Sequence, residues 1–249
     1  MKKITALLLE LVMALALTAC GGTKPAASDT PDVKGEGVMT YAEYVAAPLD
    51  SQVVVETYVQ AKQSWWEDKA TVYTQDKDGA YFCYNMACSE ADYAKLVPGA
   101  KIKVTGYKAE WAGEVEIIDA TFELLEGSYI APALDATALL GTDDLIKHQN
   151  EFVSFKGMTV EASTDADGQE AAFLYSWDGS GTPGSDLYFN VSKDGKTYTF
   201  TVESYLCGDG TAVYDTVEAL KVGDVIDLEG FLYWYEGVNP HITSVTASK

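Results

Sequence analysis

The side chains that could do chemistry in this chain are mostly aromatic. Its two histidines, His148 near a predicted helix end and His241 on the last predicted strand, sit in no spacing that builds a metal site or a nucleophile–base–acid triad. Cys83 and Cys88 lie across the end of one strand, where export would permit a disulfide but bridging geometry is poor. Cys207 would then be left over, so buried free thiols are the preferred reading. Asp165 to Glu170 resembles part of a calcium loop but lacks the terminal Glu of the full pattern, and reads as a polar turn. With 38 acidic residues, pairs of carboxylates carry little information. What remains are five tryptophans and sixteen tyrosines. Trp65, Trp66, Trp111, Trp177 and the run Tyr233-Trp234-Tyr235 fall in turn-rich segments. Flat rings there suit stacking on bases, sugar rings or peptide side chains. The expectation is ligand binding without catalysis, with no cofactor and no metal.

The elements that position these rings come twice. Leu96-Val97-Pro98-Gly99-Ala100-Lys101-Ile102-Lys103-Val104-Thr105-Gly106 returns as Leu220-Lys221-Val222-Gly223-Asp224-Val225-Ile226-Asp227-Leu228-Glu229-Gly230, at a constant offset of 124 residues (Gly99 to Gly223). The match continues through Trp111/Tyr235, Gly113/Gly237 and Ile118/Ile242. Each copy has a turn glycine, an alternating strand and a second glycine where the strand bends. The chain is therefore read as two copies of one small β-domain.

In the first copy, Thr40-Tyr41-Ala42-Glu43 has capping-box spacing and predicts a short helix ending by Pro48. Strands are predicted over 53–59, 72–75 and 80–86, a helix from Ser89 to Leu96, then the glycine-bounded strand, a hairpin at Trp111-Ala112-Gly113 and a strand over 115–124. The second copy predicts a similar opening helix from Thr142 to Gln149, strands over 152–160, 187–191 and 197–202, and a helix from Asp215. A long insertion over 161–185 holds Trp177, and the turn at Lys193-Asp194-Gly195 is read as the same turn as Lys77-Asp78-Gly79. The order β-β-β-α-β-β resembles the OB-fold, a five-stranded, partly open barrel. The expected fold is mostly β, two tandem OB-like barrels at 39–126 and 134–249, each with a short helix between strands three and four. In such a barrel the ligand lies on the face of strands two and three, bordered by the loops joining strands one–two and four–five. All five tryptophans fall on those loops. The competing reading has them close the barrel ends or the contact between the domains.

Composition narrows the ligand. Formal net charge is −21, and all 17 basic residues are lysines. Without arginine's planar fork or a net positive surface, phosphate-backbone binding is disfavoured. Lys101, Lys103 and Lys108 lie close in sequence but read as a solvated strand face.

The first nineteen residues read as an export signal: Lys2 and Lys3, an apolar run from Ile4 to Leu17, then Leu17-Thr18-Ala19-Cys20. That box, followed by Gly21-Gly22, resembles the bacterial lipoprotein cleavage site, which implies a lipidated Cys20 at the mature N-terminus. Residues 20–38 read as a flexible Gly/Ser/Pro/Ala tether. From Cys20 onward the chain resembles the uncharacterised tandem OB-fold lipoproteins of Gram-positive gut bacteria. The likeness lies chiefly in 53–59, Gln63-Ser64-Trp65-Trp66 and the run from Val97 to Ile118. It implies fold and anchoring on the extracytoplasmic face of the membrane, with no catalytic residue to carry over. The sequence thus predicts a membrane-anchored, non-enzymatic binding module for a glycan, peptide or partner protein. A single-stranded nucleic-acid binder is the alternative.

Overall fold

The computed structural model describes residues 33–248. The segment read as an export signal, and Cys20, lie outside the described residues. Of the segment read as a tether, the described end is docked. Lys34 Nζ donates to the buried Asp76 carboxylate at 2.5 Å and to the Glu56 carbonyl at 2.9 Å.

The first copy opens with α1 (Tyr41–Ala46), whose capping box forms as the sequence predicts. Five strands follow, β1 (Gln52–Lys62), β2 (Lys69–Gln75), β3 (Ala80–Ala87), β4 (Ala100–Trp111) and β5 (Glu114–Ser128), with α2 (Glu90–Tyr93) between the third and fourth. They close into a barrel in the order β1-β2-β3-β5-β4, with β4 returning to β1. Every neighbouring pair is antiparallel except β3 and β5. Alternation sends Val53, Val55, Val72, Ile102, Val104 and Ile117 into a dry interior. The helix predicted to reach Leu96 stops at Tyr93. Pro98 disfavours helical backbone at Val97, and Leu96 is instead fully buried against the barrel.

The second copy begins with β6 (Leu134–Asp135), which pairs with the start of β7 (Phe152–Glu161). The helix expected over 142–149 is instead a single 3-10 turn, Leu145–His148, preceded by another at Thr137–Leu139. Its capping group is spent elsewhere, because the Thr142 hydroxyl donates backward to the Leu139 carbonyl. The insertion folds into a short pair, β8 (Ser163–Thr164) and β9 (Glu170–Ala171), then β10 (Leu174–Tyr175), an edge partner of β11 (Leu187–Lys193). Within it the Asp165 carboxylate accepts the backbone amides of Asp167 and Gln169, closing its own turn. β12 (Lys196–Val202), α3 (Ala212–Glu218), β13 (Val225–Phe231) and β14 (His241–Ala247) complete the copy. Pairings β7-β11-β12-β14-β13-β7 close this barrel too, with β12 and β14 parallel, as β3 and β5 are in the first. The chain is two tandem OB-type barrels.

The repeated glycines do two jobs. Gly99 and Gly223 take φ of +89° and +92°, a conformation costly for any residue with a Cβ. Gly106 and Gly230 sit at bulges in the β4–β5 and β13–β14 ladders, where a methyl group would run into the carbonyl oxygens of Ile118 and His241. The two β2–β3 and β11–β12 turns are not alike. Asp194 and Gly195 both take positive φ, whereas the first copy closes its turn through Asp76 Oδ1, which accepts the amides of Asp78 and Gly79. The lysines differ as well. Lys101 and Lys103 pair with Glu56 and Glu123, but Lys108 is buried and donates to the carbonyls of Tyr44, Val45 and Ala47 at the end of α1. Cys83 points into the barrel, its thiol pushed up to about 12 by burial, and Cys83, Cys88 and Cys207 are all free.

The barrels share a third hydrophobic cluster built on Tyr73, Phe82 and Phe231. Around it Phe152 N donates to Gln75 Oε1 (2.8 Å), Asn150 Nδ2 to the Val115 carbonyl (3.1 Å), and Ser64 N to the Tyr205 carbonyl (2.7 Å). The β4–β5 hairpin adds Ala112, whose carbonyl accepts Glu236 N at 2.7 Å. Buried apolar contact fixed by directional bonds holds the two copies as one unit.

Candidate functional site

The outer face of strands two and three, where an OB barrel offers its groove, has opposite fates in the two copies. In the first barrel its centre is covered, leaving only the end at Lys69, Thr71 and Tyr84 on a cavity. β2 and β3 turn Tyr73 and Phe82 outward, and both are buried beneath the second barrel. Tyr73 stacks on Phe231 at 4.5 Å and Phe82 meets Tyr233 edge-on at 5.4 Å.

In the second barrel the face is open. Leu187, Phe189 and Val191 point inward, so β11 presents Tyr188 outward, beside Thr201 of β12. The insertion supplies Trp177, the β13–β14 connection supplies Tyr233 and Tyr235, and the first barrel's β4–β5 hairpin contributes Trp111. These side chains border a cavity of about 570 Å³, floored by Glu203 and His241. A second cavity of about 450 Å³ shares Glu203, Tyr233 and His241 with it and runs on between the barrels toward Trp66, Tyr84 and Tyr205. The two adjoin at these three residues and together make up a furrow with rings in both parts. Trp177 is 76% exposed and Trp66 65%, leaving ring faces open to a ligand, while Trp111, 55% exposed, already meets Tyr235 at 5.0 Å.

The aromatic residues singled out in the sequence therefore divide. Trp66, Trp111, Trp177, Tyr233 and Tyr235 line the furrow. Trp65 does not: its indole N–H donates to the Cys88 carbonyl at 2.9 Å, tying it to the first barrel. Trp234 packs on the second barrel's core with its ring against Gly113, while its backbone N–H donates to Glu114. Adjacent residues in a tight connection point to opposite sides, which separates Trp65 from Trp66 and Trp234 from its tyrosine neighbours.

Sequence reasoning placed neither Glu203, Asp186 and Tyr188 nor the already noted His241 in the site. His241 is buried, stacked under Tyr233 at 4.2 Å, and its Nδ1 meets the Tyr73 hydroxyl at 2.6 Å. Burial pushes its pKa down to about 3. The ring is therefore neutral, and the direction of its Nδ1–Tyr73 hydrogen bond is set by its tautomer. Glu203 is 8% exposed; Oε1 accepts the Tyr205 amide at 3.2 Å, while Oε2 meets no donor at full hydrogen-bond distance. Burial, and then the nearby Asp186 charge, raise its pKa to about 7. Asp186 accepts the Ser204 amide at 2.8 Å. Alternation along 187–191 could have found Tyr188, but Glu203 and His241 become neighbours only when the barrels close. Among the described residues no cluster of three or more His, Cys, Asp or Glu is placed to hold a metal. The site can stack on flat or apolar groups and accept hydrogen bonds.

The class that fold and site define is a tandem OB-type protein with one binding face covered at its centre and one open. No family model and no curated protein matches the chain. Among solved structures it is similar to the tetrameric p202 HIN2 domain, at 12% identity and a TM-score of 0.32, covering 80% of this chain and 95% of that one. It is also similar to a murine DNA-binding protein bound with double-stranded DNA, at 10% identity and a TM-score of 0.36, covering 79% and 96%. A Replication Protein A heterotrimer bound to single-stranded DNA matches at 12% identity and a TM-score of 0.31, covering 80% of this chain and 49% of that one.

Proposed function

We propose that this chain is a lipid-anchored, extracytoplasmic binding module that holds an extended ligand, a glycan or a peptide, in the furrow over its second barrel. The observation that supports this best is the pairing of an open strand-two/strand-three face with exposed rings along two adjoining cavities. Rings spaced along a shallow groove suit a chain of repeating units better than a single compact molecule. Glu203, Asp186 and Asn239 add acceptors between the rings. Anchoring rests on the Leu17-Thr18-Ala19-Cys20 box.

Nucleic acid is the second reading, favoured by OB topology and opposed by charge. The Trp177 half of the furrow has three carboxylates and no lysine in its lining, and the other half has Lys69 alone. Intrinsic fluorescence of the full chain, titrated with tetra-N-acetylglucosamine and then with a short thymidine oligonucleotide at low salt, tests the proposal. A saturable shift with the sugar that is lost in Trp111→Ala/Trp177→Ala is expected. A salt-sensitive response to the oligonucleotide alone would replace this reading with the second. For the anchor, Cys20→Ser is expected to move the chain from the membrane fraction to the medium, and retention in the membrane would contradict it.

A further inference from the structure

The middle of the furrow selects for charge. Asp186, Glu203 and Glu236 line its Trp177 half, and no lysine or histidinium faces them there. His241 is the one titratable nitrogen in that lining, and it is neutral, with Nδ1 already bonded to Tyr73. Glu203 is more than nine-tenths buried, and both cavities reach it; its Oε2 meets no donor at full hydrogen-bond distance, the Gln63 amide lying only close enough to favour the charged form. An acceptor without a full bond at that depth is costly unless a donor arrives from outside the fold. Around it stand the rings of Trp111, Trp177, Tyr188, Tyr233 and Tyr235, whose faces carry partial negative charge and attract cations. A hydroxyl would satisfy Oε2 but gain little from the rings or from the other two carboxylates. An alkylammonium satisfies all three: its N–H groups reach Glu203 and its charge offsets Asp186 and Glu236. Its methylenes then lie against the ring faces.

We infer that the ligand presents a primary ammonium on an aliphatic arm, as a lysine-bearing peptide does, and that Glu203 receives it where the two cavities meet. This rests on the furrow being the ligand site, and it chooses the peptide from the two ligand classes proposed above.

The test titrates the full chain, at physiological salt, with trilysine and with trilysine acetylated on every Nε, following tryptophan fluorescence. Trilysine is expected to bind at least tenfold tighter than its acetylated form. That preference should vanish in Glu203→Gln and survive in Glu126→Gln, which removes one exposed carboxylate elsewhere on the surface. Equal affinity for the two peptides would overturn the charge requirement while keeping the furrow as the site. So would a response to tetra-N-acetylglucosamine with none to trilysine. A trilysine preference that Glu203→Gln leaves intact would also overturn it, as diffuse attraction to an acidic chain. Silence toward every probe would overturn both the inference and the furrow.

Discussion

Replacing Tyr73 with alanine is expected to cost about 3–5 kcal/mol and to loosen the binding furrow from beneath. Tyr73 is fully buried, yet it faces away from its own barrel's interior. Its ring stacks on Phe231 and tilts against Phe82 at 4.9 Å, so truncation opens a cavity between two barrels that cannot both collapse into it. Its hydroxyl also holds His241, which in turn supports Tyr233. Tyr73→Phe isolates that second role: it keeps the packing, leaves His241 Nδ1 without its partner, and should cost about 1–3 kcal/mol. Equilibrium denaturation of the two variants measures both figures. If Tyr73→Ala costs no more than Tyr73→Phe, the shared cluster is not what holds the barrels together.

This residue also shows why part of the molecule was legible in the sequence and part was not. Pattern located the strands over 72–75 and 80–86 that carry Tyr73 and Phe82, and the 124-residue repeat specified two β-domains with their turn and bend glycines. Local patterns encode such things because strand, turn and bulge are local. Nothing local says that the first barrel's outer face is covered at its centre and the second's open. That depends on Phe231 meeting Tyr73, from opposite copies. The loops were located correctly, but side-chain direction within them was not, because it follows from bonds such as Trp65 Nε1 to Cys88 O. Helical capping spacing at Thr142 misled for a similar reason: its hydroxyl found a nearer acceptor.

The second large effect concerns Glu114 and pH. Its side chain is fully buried at the junction of the barrels, where Oε2 accepts Trp234 N at 2.9 Å and Gln149 Nε2 at 3.1 Å. Oε1 and Asn150 Oδ1 meet no donor at full hydrogen-bond distance. The Asn150 side chain, the Trp234 amide and Gln149 favour the charged carboxylate, but burial outweighs them. Burial is the main cause that raises the Glu114 pKa to about 8 from an ordinary 4.5. The folded state therefore holds a proton that the unfolded chain releases near pH 4.5. Stability from this group is complete below pH 4.5, declines as pH rises, and is lost above about 8, with a slope of at most about 1.4 kcal/mol per pH unit. Glu203, raised to about 7, adds a decline in the same direction up to that pH. Glu114→Gln keeps the acceptor for Trp234 and offers Asn150 a permanent donor. Urea denaturation at pH 5, 6.5 and 8 should show wild-type stability falling across the series and the variant falling distinctly less. A wild-type stability that rises from pH 5 to pH 8, or an equal decline in the variant, would remove Glu114 as the source.

The central claim is that ligand occupies the furrow between Trp177 and Trp66. The five tryptophan indole N–H signals test it directly, since three of those rings line the furrow and two do not. In a nitrogen–proton correlation spectrum of the full chain titrated with trilysine, the signals of Trp111, Trp177 and Trp66 are expected to shift together and saturate. Those of Trp65 and Trp234 should stay in place. Movement confined to Trp65 and Trp234, or none in the three furrow tryptophans while ligand is demonstrably bound, would place the ligand elsewhere on the molecule.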